Sequence, residues 1–70
     1  MINTSKLKGL IVERGYTQQD VASYIGITAK TFYAKMKTGN FYLTELDKIV
    51  EMLDIEDPTP VFFKQLGGSE

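Results

Sequence analysis

The feature that most constrains this chain is a pair of short amphipathic segments separated by only Gly26, Ile27 and Thr28. The first opens with helix-start chemistry: Thr17 as N-cap, Asp20 three residues on as its reciprocal partner, and Tyr16 and Val21 at the two staple positions. Val21, Ala22, Tyr24 and Ile25 then supply apolar positions. The second segment opens the same way, with Thr28 as cap, Ile27 and Phe32 as staple, and Met36 one turn beyond Phe32; Gly39 ends it. A link this short forces the two helices to cross steeply instead of lying side by side. Ala22 then belongs on the inner face, where a larger side chain would push the second helix away. Gly26 sits where the turn needs positive φ. Ile27 plugs the corner and Phe32 anchors the second helix from below. The opposite face of that helix, with Ala29, Lys30, Tyr33, Ala34 and Lys37, is left facing outward.

The flanking segments are also helical in pattern. Leu7, Leu10, Ile11 and Val12 predict a helix from about Ser5 to Arg14, with Asn3, Thr4 and Ser5 as candidate caps and Gly15 after its last turn. Gly9 inside that helix costs about 1 kcal/mol relative to alanine. Leu46, Ile49, Val50 and Leu53 follow the i, i+3, i+4, i+7 rule and predict another helix. Its start is open between Thr44 as cap and Tyr42, which would place Glu45 at N3 with Phe41 and Leu46 as staple. Asp57-Pro58-Thr59-Pro60 breaks the pattern, and Asp57 with Pro58 can open a short last turn leading into Val61-Phe62-Phe63. The expected architecture is an all-α, compact domain of four to five helices over residues 1–66. Its helix-turn-helix spans about 17–39, and residues 67–70 form a disordered tail.

Seventy residues make one domain, which buries only about 60% of its unfolded surface. An apolar share of 43% with 24% charged residues argues against disorder. The absence of cysteine and histidine removes disulfides, thiolate nucleophiles, Cys/His zinc sites and Ser-His dyads. Glu45, Asp47 and Glu51 read as the solvated face of a helix, not a catalytic carboxylate pair. No enzymatic activity, metal or cofactor is expected. No apolar run approaches the roughly 20 residues of a membrane span, and no signal-peptide pattern opens the chain. The expected compartment is the cytoplasm, in association with the nucleoid.

The net charge of −1 looks wrong for a nucleic-acid binder until it is mapped. Residues 1–40 hold six basic side chains against two acidic ones, a net of +4, whereas residues 41–70 hold two against seven, a net of −5. Such a dipole suits contact with a polyanion through one face.

Thr17-Gln18, Val21-Ala22, Gly26-Ile27-Thr28 and Phe32, with Gly39 and the Leu46…Ile49-Val50…Leu53-Asp54-Ile55 run, resemble the lambda-repressor/Cro-like (XRE-type) helix-turn-helix family, and in particular the small repressor-like proteins of temperate phages. The resemblance covers about residues 5–63. It implies that the helix after the corner enters the major groove of double-stranded DNA and reads an operator, while the helix before it lies across the backbone. Thr28, Ala29, Lys30, Tyr33 and Ala34 would then form the base-reading face, with Lys30 able to donate to guanine O6 or N7. Gln18, Lys37, Thr38 and Asn40 would reach phosphates. Ala29 and Ala34 depart from the long polar readers common in the family, which implies sparse direct readout. Lys35-Met36 departs from its usual apolar-then-acidic pair. A repressor of this kind works as a homodimer on two half-sites, for which Val61, Phe62, Phe63 and Leu66 are the candidate interface; the same residues can instead cover the protein's own core. The alternative reading is a protein-interaction module of the same fold, an anti-repressor or antitoxin, that does not bind DNA.

Overall fold

Each helix begins where a side chain satisfies its first free N–H groups. The computed structural model describes residues 2–62, all of whose regular structure is helical. Helix α1 runs Thr4–Glu13, with Asn3 Oδ1 accepting from the Lys6 N–H at 3.1 Å. Helix α2, Gln18–Ile25, carries the expected capping box: Thr17 Oγ1 accepts from the Asp20 N–H at 3.1 Å, and Asp20 Oδ2 accepts from the Thr17 N–H at 2.9 Å. Helix α3, Ala29–Thr38, is capped by Thr28 Oγ1, which accepts from the Thr31 N–H at 3.1 Å. Helix α4, Leu43–Leu53, starts after Tyr42, so the earlier of its two expected starts is the one formed. The Tyr42 N–H donates to Glu45 Oε1 at 2.8 Å, and that bond makes Tyr42 a competent cap although its own side chain gives no cap bond. Helix α5, Thr59–Phe62, opens with the Thr59 N–H donating to Asp57 Oδ1 at 3.1 Å.

The helices end on left-handed residues that let the backbone turn back on itself. Gly26, at φ +88°, allows the Ile27 N–H to reach the Ala22 carbonyl at 3.0 Å. Asp54 takes the same conformation after α4, at φ +53°, and the Ile55 N–H reaches the Val50 carbonyl at 3.1 Å. Gly9 meets nothing: a Cβ built there has no neighbour within 4 Å, so its place in α1 is an open surface position.

Leu7 and Ile11 of α1, Val21, Ala22 and Ile25 of α2, Phe32 and Met36 of α3, and Leu46, Ile49 and Leu53 of α4 converge in one core. Each large side chain so buried contributes about 1.5–3 kcal/mol. Phe32 is fully buried and meets Phe41 edge to face, with ring centroids 5.7 Å apart. The α2–α3 pair packs most extensively, and α2 also rests on α4. Val12, apolar in sequence, is 69% exposed at the end of α1. Val61 is 1% exposed, and the carbonyl of Val61 accepts from the Asn3 N–H, so α5 closes over α1. Of the candidate interface residues, Val61 therefore belongs to the protein's own core, where no second copy can reach it. The side chain of Phe62, and Phe63 and Leu66 entirely, lie outside the described residues.

Two long-range polar contacts brace this arrangement. Arg14 Nε donates to the Leu53 carbonyl at 2.7 Å, placing a cation at the negative end of α4. The Tyr24 hydroxyl donates to Glu51 Oε1 at 3.2 Å, and that bond, with the negative charge of Glu51 behind it, holds Tyr24 above the ordinary tyrosine pKa.

Candidate nucleic-acid interface

The corner at Gly26 decides what α3 presents. Ala22 is 1% exposed in α2, the helix that packs most extensively against α3. With Phe32 and Met36 turned inward, Lys30, Tyr33, Ala34 and Lys37 are exposed along the other side of α3, and Ala29 is half-buried at its first turn. Tyr33 keeps 51% of its surface open. Thr28 is exposed, but its hydroxyl already accepts from the Thr31 N–H and lies 2.9 Å from Thr31 Oγ1. Among the described residues, neither Lys30 nor Lys37 takes part in an ion pair.

The two flanks of α3 differ in chemistry. Residues 35 and 37 are two apart, which at 3.6 residues per turn puts them about 200° apart around the axis. Lys37 accordingly points toward α1 and α2, where it borders a concavity of about 260 Å³ with Thr4, Ser5, Lys8, Gln18 and Met36. Gln18, half-buried at the first position of α2, and Lys37 thus border the same concavity. Lys8 joins them, and the sequence reading missed it. Lys8 is exposed one turn after Thr4, and only the packing of α1 beside α2 brings it there.

On the other flank, Lys35 turns to α4. Its Nζ lies 3.3 Å from Glu45 Oε1 and 4.5 Å from the centroid of the Tyr42 ring. The Lys35 and Glu45 side chains are only 18% and 10% exposed. This explains the departure from the usual apolar residue at position 35: the methylene stem packs while the ammonium is satisfied by a partner on α4. Asn40 is exposed and shares a hollow with Lys35, Phe41 and Tyr42. Thr38 is exposed, but its hydroxyl lies 3.4 Å from the Ala34 and Lys35 carbonyls and accepts from the Asn40 N–H at 3.3 Å. Thr38 therefore shapes the end of α3 through its own backbone.

The exposed groups of this surface suit contact with an anion. Among the described residues there is no group of three His, Cys, Asp or Glu that could hold a metal ion, and no helix is long and apolar enough to cross a membrane. What it offers is a convex helix edge with free cations, walled on one side by a lysine-lined hollow and on the other by an aromatic residue over an ion pair. Comparison with curated proteins and with solved structures gives no match. Residues 6–58 match the family model of the Cro/C1-type HTH DNA-binding domain, and with the corner, caps and outward α3 in place the chain belongs to that family.

Proposed function

We propose that this member of a DNA-binding family is a sequence-specific transcriptional regulator of the Cro/repressor kind, which occupies an operator by laying α3 in the major groove. The observation that carries this reading is the outward edge of α3, where Lys30 and Lys37 are exposed and unpaired among the described residues. An α-helix with its side chains is about 10–12 Å across, and the major groove is about 12 Å wide. Ala29 and Lys30, at the leading end of α3, meet base edges first, with Tyr33 and Ala34 behind them. Thr28 and the alanines offer methyl groups to thymine. Gln18, Lys37, Thr38 and Asn40 face the sugar-phosphate walls. With two alanines among the readers, sequence preference rests on Lys30 and on DNA shape. Residues 1–66 act as the binding unit.

A single small domain contacts few phosphates and binds weakly at physiological salt, so operator occupancy takes two copies on half-sites about 34–36 Å apart. Phe62, Phe63 and Leu66 are the residues left to hold them together once Val61 is in the core. Selection from a random duplex pool then yields an inverted repeat.

The test is a salt series on a random-sequence 20-base-pair duplex. Binding is expected at low salt, falling steeply as salt rises because each phosphate contact releases counterions. Lys30→Glu with Lys37→Glu is expected to abolish it while the circular dichroism spectrum and melting temperature stay close to those of the parent. Unchanged binding in the folded double variant refutes the assignment of α3. Absence of all duplex binding at low salt favours the protein-interaction module, to which the alanines at 29 and 34 are better suited.

A further inference from the structure

Tyr42 is 70% exposed, yet it is held both at its backbone and at its ring. Its backbone N–H donates to Glu45 Oε1 at 2.8 Å, its ring lies against the Lys35 ammonium at 4.5 Å, and that ammonium is fixed 3.3 Å from the same Glu45 oxygen. A cation under an aromatic face in a desolvated place is attractive and directional. The pair is nearly closed to solvent, so the ring is pinned at its face while its edge and hydroxyl remain in water. Among the described residues, the hydroxyl of Tyr42 has no hydrogen-bond partner, in contrast to that of Tyr24.

Its place relative to α3 gives it a use. Gln18, Lys8 and Lys37 stand on the flank of α3 toward α1 and α2, while on the opposite flank Lys35 is engaged by Glu45. A helix in the major groove meets a phosphate wall on each side. We propose that Tyr42 is a backbone contact on the second wall beside Asn40, its hydroxyl donating to a phosphodiester oxygen, and that Lys35 and Glu45 are positioning residues that hold it there without touching DNA. The inference rests on α3 lying in the groove, and it adds a residue and a division of labour that the sequence pattern did not assign. The partner is the phosphodiester backbone of duplex DNA and not its bases, so the contact is blind to sequence. It keeps α3 centred between the strands, since the opposite flank is already held by Gln18 and Lys37.

The experiment uses the full chain and the same random-sequence 20-base-pair duplex. Tyr42→Phe removes one hydroxyl and leaves the ring and cap in place; it is expected to weaken binding about five- to tenfold, the scale of an ordinary net hydrogen bond, with the salt slope unchanged. Lys35→Met with Glu45→Gln removes both charges together, so neither is left buried alone, and the glutamine carbonyl can still accept from the Tyr42 N–H. In that background Tyr42→Phe is expected to cost less than twofold, because the ring is no longer held. A salt slope lower by about 1 in the Lys35→Met, Glu45→Gln background shows Lys35 on a phosphate and overturns the positioning role. A Tyr42→Phe effect of the same size in both backgrounds also overturns it, leaving the ion pair a matter of stability alone. If the parent binds the duplex and the Lys30→Glu, Lys37→Glu variant does not, but Tyr42→Phe binds like the parent, the second-wall contact is wrong and the placement of α3 stands.

Discussion

Gly26 and Gly9 allow the same chemical change to be made twice with opposite expected sign. At both, a Cβ built on the backbone has no neighbour within 4 Å, so neither alanine variant meets a steric neighbour. What differs is the backbone: Gly26 sits at φ +88° in the corner, whereas Gly9 is an ordinary helical residue on the surface of α1. Replacing glycine by alanine restricts the unfolded chain and stabilises by about 0.4–1 kcal/mol wherever the folded backbone tolerates it. Gly9→Ala therefore gains about 1 kcal/mol, the helix-propensity difference. Gly26→Ala gains the same unfolded-state term but carries about 1–2 kcal/mol of left-handed strain, for a net loss of about 0.5–1 kcal/mol. The unfolded-state term is common to both, so the gap between the variants, about 2 kcal/mol, reports the strain. At 4–8 °C per kcal/mol for a domain of this size, the two melting temperatures differ by about 8–16 °C. Urea titration followed at 222 nm checks the same quantity, with midpoints moving in opposite directions at constant m. If both variants move the same way, the corner does not depend on the left-handed backbone of Gly26, and the geometric account of α3 loses its foundation.

Ala22→Leu inserts a branched side chain at a position 1% exposed between α2 and α3. It is expected to destabilise by about 1–3 kcal/mol and to weaken duplex binding in the protein that remains folded, because α3 is displaced from α2; binding equal to the parent's at a lowered melting temperature would uncouple the corner from the interface. The slope of log affinity against log salt counts the phosphate contacts: in the proposed complex Lys8 and Lys37 are the cations set against phosphates, so one copy gives a slope of about −1.8 and two give about −3.6. A slope near the larger value on a single duplex with only one copy bound, as measured by ultracentrifugation, contradicts this count.

The α2–α3 corner was legible because it is written in local chemistry. Thr17, Asp20 and Thr28 cap by reaching three residues along the chain, and Gly26 turns the backbone by its own conformational freedom; none needs a distant partner. The start of α4 was not legible in the same way. Thr44 is the better cap by type, but Tyr42 is fixed by Glu45, and Glu45 is fixed by Lys35 from another helix. That pairing depends on how α3 is rotated against α4, which no local rule supplies. Lys8 escaped for a similar reason: only the packing of α1 beside α2 brings it to Gln18 and Lys37. Val61 shows the limit in apolar residues, since burial and self-association call for the same side chains, and only the Asn3–Val61 backbone bond, with α5 docked on α1, decides between them.

The net charge of −1 and the family's affinity for a polyanion are reconciled by how the cations are used, not by how many there are. Arg14 is engaged with Glu13 and the Leu53 carbonyl, and Lys35 with Glu45. Lys6 borders a concavity with Asp54, Glu56 and Asp57, on the acidic side of the molecule. Three of the six basic residues in the first 40 therefore brace or neutralise the rear, and Lys8, Lys30 and Lys37 remain along one edge. Exposed charges more than about 8 Å apart are screened from each other at physiological salt. Of the acids on α4, Glu45 is neutralised by Lys35, and exposed carboxylates farther off than that screening length subtract little from the field at α3 while they disfavour approach of DNA by the wrong face. A uniform surface with the same three lysines would bind in many orientations. Here the acidic rear and the engaged cations restrict how a polyanion can approach, and the proposed reading of bases by so few side chains requires that restriction.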